Sequence, residues 1–261
     1  MTLDVKWMGI DMGECLMDVT PRRGHLLTGD TAKALSRPES SASAYHRWRV
    51  LIEKYGSLPV VLERHKIELL GYVFDDDPAA GEVFLGVEQE YLALAPGAHE
   101  ALSYLREEGI ELSVVTAART SPGPMDDSCE FRFLERHDVL KYFEALVTPR
   151  GRMRIADRAV DTRYEGTSKE DGTIYDVLAE DLNARGISPG EAAMMGDKEW
   201  ADIAPAKKRG FKTILYTGYI YRGPTEADMV IERFSDLRDN VRYGGKAVGG
   251  RPAANRMGAT G

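Results

Sequence analysis

Two apolar segments, far apart in the chain, each stop at an aspartate. Residues 5–10 are apolar apart from Lys6 and run into Asp11, and residues 192–196 end directly before Asp197. Both segments suit strands that are buried on both faces of a parallel sheet. Parallel strands bring their carboxyl ends to the same edge of a sheet, so we expect the two acids to meet there. Because carboxylate oxygens are preferred ligands of hard divalent cations, the pattern predicts an open parallel sheet with a cation site at its edge.

Strand-like and helix-like segments alternate over most of the remaining chain. The hydrophobic pattern predicts strands at 5–10, 111–116, 145–148, 192–195, 212–216 and 229–231, and helices at 96–109, 127–143 and 172–183. Such alternation is typical of an α/β fold built on a doubly wound parallel sheet. The stretch 149–168 is rich in Arg, Gly and Asp, and we interpret it as a connection longer than the usual ~2–6 residues between strand and helix.

A long insertion separates the first predicted strand from the others. Residues 19–43 are rich in Pro, Arg, Gly, Ser and Thr, which predicts a loop. Amphipathic helices are predicted after this loop at 44–55, 60–74 and 81–94. We therefore expect an α/β core formed by residues 1–18 and 96–242, with a helical insertion at 19–95. Residues 243–261 are expected to be a disordered glycine-rich tail.

Composition restricts the partners of this chain. Its 261 residues include 34 Lys and Arg against 42 Asp and Glu, which gives a formal net charge of −8. An acidic protein of this kind is not expected to present an extended nucleic-acid surface. The sequence has no apolar run near the ~18 residues of a membrane span and no signal-peptide core, and its two cysteines, Cys15 and Cys129, provide no disulfide framework. We expect a cytoplasmic protein without nucleic-acid or membrane partners, and the sequence predicts no particular oligomeric state.

Further polar residues follow a fixed order around the two acids. Thr116 ends a predicted strand, Lys169 stands just before a predicted helix, and Asp202 follows Asp197 by five residues. The order Asp, Thr, Lys, Gly-Asp and a further Asp resembles the haloacid dehalogenase (HAD) superfamily over roughly residues 5–237. This resemblance implies a Rossmann-like core with a helical cap over the active site, and the insertion takes the place of that cap.

The superfamily consists largely of magnesium-dependent phosphoryl-transfer enzymes that use an aspartyl intermediate. By resemblance, Asp11 is the nucleophile and Lys169 is a catalytic group that binds phosphate oxygens. The resemblance implies that the phosphate-binding residues are Met12, Gly13, Thr116, Ala117 and Lys169. It also implies that the Mg²⁺ ligands are Asp11, the Gly13 carbonyl, Asp197 and Asp202. These residues could also serve the fold alone. Asp202 could cap a helix, and Thr116 suits any strand end.

One position departs from the superfamily in a way that bears on activity. Most superfamily phosphatases carry a second Asp two residues after the nucleophile, where this chain has Gly13. The backbone carbonyl that binds the metal is retained, but the carboxyl group that protonates the leaving oxygen is lost, and such assistance is worth ~10²–10⁴ in rate. A second departure is Glu170, where Pro is usual after the lysine. The resemblance therefore implies a phosphatase-like enzyme that Gly13 weakens or specialises.

Three functions are open on the sequence. The first is a Mg²⁺-dependent phosphatase of a small organic phosphate. The second is a phosphonate carbon–phosphorus hydrolase, which Gly13 favours and which needs a cap lysine, Lys54 or Lys66, to form a Schiff base. The third is a non-catalytic binding or regulatory protein, against which the retained anchoring residues argue. Dehalogenation is disfavoured because that metal-free chemistry has no use for Asp197, and we expect Cys15 to be a packing residue.

Overall fold

An eight-stranded sheet lies at the centre of the protein. The computed structural model of the chain describes residues 2–19, 21–55, 61, 65–81, 83–84, 92–117, 124–220 and 223–244. The strands are β1 Leu3–Val5, β2 Trp7–Ile10, β3 Met17–Asp18, β4 Ala93–Leu94, β5 Glu111–Val115, β6 Ala145–Thr148, β7 Gly151–Arg154, β8 Val160–Asp161, β9 Ala192–Gly196, β10 Lys212–Tyr216, β11 Met229–Ile231 and β12 Val241–Tyr243. The order across the sheet is β11-β10-β9-β2-β5-β6-β7-β8. The strands from β11 to β6 are parallel and are added outward on both sides of β2, which confirms the predicted doubly wound α/β fold.

Hydrophobic layers cover both faces of this sheet. The helices with described bounds are α1 Pro21–Ala34, α2 Ser41–Tyr55, α3 Lys66–Phe74, α4 Ala98–Glu107, α5 Cys129–Arg136, α6 Thr173–Ala184, α7 Ala204–Lys207 and α8 Leu237–Asn240. Alternate strand residues point to opposite faces, so β2 contributes Met8 and Ile10 to one layer and Trp7 to the other. Helices α4 and α5 pack into the first layer and α6 into the second. The carboxyl edge of the sheet therefore has a rigid core beneath it.

The predicted first strand, 5–10, is two strands in the structure. β1 pairs in parallel with β12 at the end of the chain, whereas β2 joins the large sheet. Lys6 lies between them; its N–H donates to the carbonyl of Glu191 (2.7 Å) and its carbonyl accepts from the N–H of Glu111 (2.9 Å). The break was not predictable from the local pattern, because the partner of β1 is more than 230 residues away in the chain.

The loop predicted at 19–43 is wrong, because α1 fills most of it. Small residues let this helix approach α2 closely. A Cβ atom at Gly24 would lie 2.0 Å from the ring of Trp48. The buried hydroxyl of Thr28 donates to the carbonyl of Gly24, one turn earlier, at 3.0 Å, so it has a hydrogen-bond partner within the helix. Gly and Thr, which indicated a loop by composition, thus support helix–helix packing here.

The connection at 149–168 contains regular structure that the sequence did not predict. It contains β7 and β8, an antiparallel hairpin that extends the sheet beyond β6. The signal was weak because these strands alternate Met153 with charged residues, so they lack the continuous apolar pattern of the parallel strands. The helix predicted at 127–143 is shorter in the structure. It begins after Ser128, whose hydroxyl accepts the N–H of Phe131 (3.2 Å), and it ends at Arg136.

The helices of the insertion share a hydrophobic cluster of their own. Helices α1, α2 and α3 contribute to it buried side chains that include Leu27, Trp48, Leu51, Leu69 and Val73. The helices predicted at 44–55 and 60–74 are confirmed by α2 and α3, respectively. The helix predicted at 81–94 does not reach its predicted end, because Ala93–Leu94 forms β4. Residues 82 and 85–91 of that prediction lie outside the described residues. β4 pairs with β3 where the insertion leaves and rejoins the core. The exact division between core and cap stays a prediction.

The described part of the chain ends beside β1. Tyr243 belongs to β12, and the N–H of Gly244 donates to the carbonyl of Val5 (3.0 Å), so the tail predicted from residue 243 starts too early. Residues 245–261 lie outside the described residues. Among the helices that the structure describes, none has both the length and the apolar character that crossing a membrane requires.

The central strand tolerates no side chain at Gly9. A Cβ atom there would lie 2.7 Å from the Trp7 ring and 2.9 Å from a methyl of Val115. We expect Gly9→Ala to lower the free energy of unfolding by about 1–3 kcal/mol, because an overpacked core must shift. Urea denaturation measures this change. Gly190→Ala is the matched control, since nothing lies within 4 Å of a Cβ at Gly190; an equal loss in both variants would contradict the packing argument.

Candidate active site

The strand register brings three of the predicted residues to one edge of the sheet. The residue before Asp11 is in register with Met195 of β9 on one side and Val114 of β5 on the other. Asp197 and Thr116 therefore leave the flanking strands one residue beyond the level of Asp11. The N–H of Asp11 donates to the carbonyl of Met195 (2.8 Å), which continues the ladder up to the acid itself. The predicted meeting of the two acids is confirmed.

Three buried carboxylates form a cluster at this edge. Asp11, Asp197 and Asp202 each place a carboxylate oxygen within 4.8 Å of the others, and all three residues are buried. Burial, followed by the negative charge of Asp11, raises the pKa of Asp197 to about 7. Burial also raises the pKa of Asp202, although Lys169 opposes this effect. Such a cluster has the oxygen donors that a hard divalent cation takes, and a bound cation would remove its mutual repulsion.

Lys169 joins this cluster from the loop before α6. Its Nζ lies 2.5 Å from Oδ1 of Asp11 and 2.5 Å from Oδ1 of Asp202, and only 1% of its side chain is exposed. Burial alone would lower the pKa of Lys169, but the carboxylates of Asp11 and Asp202 hold it well above its usual range. The side chain is therefore a buried ammonium group that bridges two acids.

Asp202 does not cap a helix, which was its structural alternative. It lies inside a π-helical turn, Glu199–Ile203, and its Oδ2 accepts the N–H of Lys198 (3.0 Å). Gly196 makes room for it, because a Cβ atom there would lie 2.3 Å from the carboxyl carbon of Asp202. Single π-helical turns inside or beside helices occur frequently at functional sites. This turn aims Asp202 back toward Lys169 and the end of β9.

A buried tyrosine holds the π-helical turn in place. The hydroxyl of Tyr175, on α6, donates to the carbonyl of Ala201 (2.8 Å), which is the residue before Asp202. Tyr175 is fully buried and packs near the ring of Phe211. The same helix begins shortly after Lys169, so Tyr175 fixes the distance between the helix that follows the lysine and the turn that carries the acid.

The loop after Asp11 is closed by backbone hydrogen bonds. The N–H of Met17 donates to the carbonyl of Met12 (2.7 Å), and the N–H of Leu16 donates to the carbonyl of Asp11 (3.3 Å). Met12 is buried in the core. Gly13 has open space around it, because the nearest atom to a Cβ there is a methyl of Val19 at 3.8 Å. The loop is thus shaped by the backbone and has room for a larger residue at position 13.

The remaining predicted residues are placed by their neighbours. The N–H of Thr116 donates to the carbonyl of Val147 (3.0 Å), and Thr116 and Ala117 follow β5 at the edge that carries Asp11. Cys15 is fully buried in the core, which confirms its prediction as a packing residue. Burial, reinforced by the charge of Asp11, raises the pKa of this thiol well above its usual range. A thiol in this setting is a poor nucleophile.

Two charged residues that the sequence interpretation missed complete the cluster. Nζ of Lys198 lies 3.2 Å from Oδ1 of Asp197 and 3.9 Å from Oε2 of Glu14. Glu14 has a left-handed backbone (φ 58°), which is uncommon outside Gly, Asn and Asp. The available signal was position alone, since Lys198 directly follows the Gly-Asp pair. With Lys169, the site holds two ammonium groups against four carboxylates; when all are ionised, two negative charges remain for a divalent cation to balance.

The lysines proposed for Schiff-base chemistry belong to the insertion. Nζ of Lys54 donates to Glu68 (2.9 Å) and lies over the ring of Tyr55, with 55% of its side chain exposed. Lys66 begins α3, and its side chain lies outside the described residues. Lys54 is therefore a surface ion-pair residue, and its environment does not favour the carbon–phosphorus hydrolase.

Tyr175 and Tyr164 provide a test of the π-helical turn. We expect Tyr175→Phe to weaken binding of a divalent cation by about ten-fold, because supporting residues of a metal site have effects of this size. Tyr164→Phe is the control: Tyr164 is as fully buried as Tyr175, but its hydroxyl donates to Asp181 (2.7 Å), away from the cluster. Each variant should lose about 1 kcal/mol of stability with its hydrogen bond. Calorimetric titration with Mg²⁺ measures the affinities, and equal affinities in the two variants would contradict the role of Tyr175.

Known proteins share both the sequence pattern and the fold. Among curated proteins, residues of this chain align with the ribulose-1,5-bisphosphate 5-phosphatase of Halopiger xanaduensis at 26% identity over 64% of each chain. They also align with the glyceraldehyde 3-phosphate phosphatase of Pyrococcus furiosus at 25% identity, over 89% of this chain and 88% of that protein. The chain thus spans slightly less than two thirds of the first relative and most of the second.

Solved structures have the same fold. A HAD phosphatase from Thermococcus onnurineus superposes with a TM-score of 0.54 at 21% identity, covering 90% of this chain and 97% of that one. A HAD hydrolase of Bacillus subtilis bound to magnesium gives a TM-score of 0.55 at 15% identity, covering 90% and 98%. The family model of haloacid dehalogenase-like hydrolases matches residues 10–210, which include every residue of the acidic cluster and both of its lysines. The chain therefore belongs to the haloacid dehalogenase-like hydrolases.

Proposed function

We propose that this protein is a Mg²⁺-dependent phosphatase that acts on a small organic phosphate through an aspartyl-phosphate at Asp11. The observation that carries the proposal is the pair of 2.5 Å contacts by which Lys169 bridges Asp11 and Asp202 inside a buried acidic cluster. A binding protein has no need of a buried ammonium group beside a carboxylate at the edge of a sheet. The names of the two curated relatives, both phosphatases of small sugar phosphates, support this choice of substrate class.

Mg²⁺ fits the residues present, since buried carboxylate and carbonyl oxygens are its preferred donors. We assign Asp11, the Gly13 carbonyl and Asp197 to hold it directly. Both oxygens of Asp202 already accept hydrogen bonds, from Lys169 and from the Lys198 N–H, so Asp202 completes the site as the outer acid that holds Lys169. When bound, the cation supplies charge neutralisation on a phosphoryl oxygen.

The residues of the chain perform the remaining steps. A carboxylate oxygen of Asp11 attacks the phosphorus, the P–O bond to the substrate breaks, and the leaving oxygen takes a proton from solvent water, because position 13 has no acid to supply one. Water then attacks the phosphorus of the aspartyl-phosphate, which returns Asp11 as a carboxylate and releases phosphate. Lys169 orients Asp11 and, with the Thr116 hydroxyl and the N–H groups of Met12, Gly13 and Ala117, binds phosphoryl oxygens, so that catalysis is mainly electrostatic positioning.

The first test removes the two acids separately. We expect Asp197→Asn to weaken Mg²⁺ binding by about ten-fold or more, since it removes a charged ligand, and Asp11→Asn to abolish turnover while the fold persists. Phosphate release from a panel of phosphomonoesters, with Mg²⁺ and with a chelator, measures activity; calorimetry measures affinity and circular dichroism the fold. Full activity of the Asp11→Asn variant would refute the covalent mechanism, and unchanged Mg²⁺ affinity of the Asp197→Asn variant would move the cation elsewhere.

The second test restores the missing acid. Gly13 has an ordinary backbone conformation and open space for a side chain, so Gly13→Asp should fold. If the wild-type site lacks only a general acid, hydrolysis of alkyl phosphates should rise by up to ~10²-fold, because basic leaving groups need protonation. Nitrophenyl phosphate, with its good leaving group, should gain least. No gain on either ester, with Mg²⁺ binding intact, would show that the missing carboxyl group does not limit the rate.

A further inference from the structure

The charged groups of the site differ sharply in exposure. The side chains of Lys169 and Asp202 are 1% exposed and that of Asp197 is 2% exposed. The side chain of Lys198 is 29% exposed and that of Glu14 is 19% exposed. Lys198 and Glu14 are therefore the more exposed charged members of the cluster, and we call these two residues its rim.

The base of the Lys198 side chain is fixed by the site itself. Its backbone N–H donates to Oδ2 of Asp202 (3.0 Å), and its own carbonyl accepts the N–H of Asp202 (2.7 Å). The Lys198 side chain is thus fixed at its backbone end, and its ammonium group is partly exposed to solvent.

A bound cation would change the partners of this ammonium group. Nζ of Lys198 lies 3.2 Å from Oδ1 of Asp197, which is one of the residues that we assign to hold Mg²⁺. A divalent ion on the same carboxylate would repel a neighbouring ammonium group, because like charges at a few ångströms interact strongly at a partly buried site. Among the ion pairs of the described residues, the other partner of Lys198 is Glu14, at 3.9 Å, which is close to the longest separation of an ion pair. Such a long contact would leave the ammonium group able to bind another anion.

We propose that Lys198 binds a second anionic group of the substrate, a carboxylate or a second phosphate, at the rim of the site, and that Glu14 competes with the substrate for it. This proposal rests on the proposed function, since it places the reacting phosphoryl group at Asp11. Lys198 is then a residue that determines specificity: it favours substrates with two anionic groups over simple monophosphates. Lys169, which is buried and bonded to two acids, serves the reacting group.

The test uses two ligands that differ in one group. Glycerol 3-phosphate and 3-phosphoglycerate carry the same phosphate, but the second has a carboxylate where the first has an alcohol. Lys198→Met should raise the KM for 3-phosphoglycerate by about ten-fold or more, the value of a charge-assisted hydrogen bond, and should change the KM for glycerol 3-phosphate much less. Glu14→Gln should act in the opposite direction and lower the KM for 3-phosphoglycerate. All rates are measured at saturating Mg²⁺.

Two further measurements make the result decisive. Lys207→Met is the matched control, because it removes the same charge from a lysine that pairs with Asp228 (2.7 Å). Calorimetry with both ligands in the Asp11→Asn background measures binding without turnover. A selective loss for 3-phosphoglycerate in Lys198→Met supports the proposal; an equal loss for both ligands, or the same loss in Lys207→Met, overturns it. If the wild-type protein hydrolyses no phosphomonoester of the panel but still binds 3-phosphoglycerate selectively through Lys198, the proposed phosphatase function fails while the assignment of Lys198 to the second anionic group stands.

Discussion

The buried ammonium group of Lys169 connects two loops that are 158 and 33 residues away from it in the chain. Removing such a group from water costs several kcal/mol, and ion pairs restore this only when geometry is good and the remaining hydrogen-bond groups are satisfied. Two short ion pairs meet the first condition, and the backbone holds each acid that contacts Lys169: the N–H of Asp11 belongs to the sheet ladder, and Asp202 accepts the N–H of Lys198. The site is therefore a rigid unit whose charges are set by the fold.

The fold provides this unit through small residues and one unusual turn. Gly9 and Gly196 let neighbouring groups approach where any Cβ atom would collide, with the Trp7 ring in the first case and the Asp202 carboxyl group in the second. The π-helical turn after β9 then aims Asp202 back at the sheet, and Tyr175 fixes this turn to α6. The register of the parallel strands places the other site residues, because it brings Asp11, Asp197 and Thr116 to the same edge of the sheet.

The sequence was sufficient for features that depend on local pattern and insufficient for those that depend on distant partners. Apolar runs identified β10 and β11 with their observed bounds and β9 to within one residue, and the acids at strand ends identified the cluster. The hairpin of β7 and β8 and the pairing of β1 with β12 have no such run, because each strand is short and takes its stability from a partner. The α1 helix was missed because Gly24 and Thr28 serve packing against Trp48, a contact that composition does not reveal. Lys198 gained its role only through the turn that follows it.

Magnitudes decide how the glycine at position 13 should be understood. A general acid is worth ~10²–10⁴ in rate, or about 3–5 kcal/mol of barrier, whereas enzymes as a class lower barriers by about 8–23 kcal/mol. The proposed nucleophile Asp11 and the charged groups around it, which this chain retains, would supply the larger share through positioning and electrostatics. Loss of one carboxyl group would therefore slow most the reactions whose leaving group needs a proton. We therefore expect Gly13 to make the proposed phosphatase selective among leaving groups rather than to abolish its catalysis.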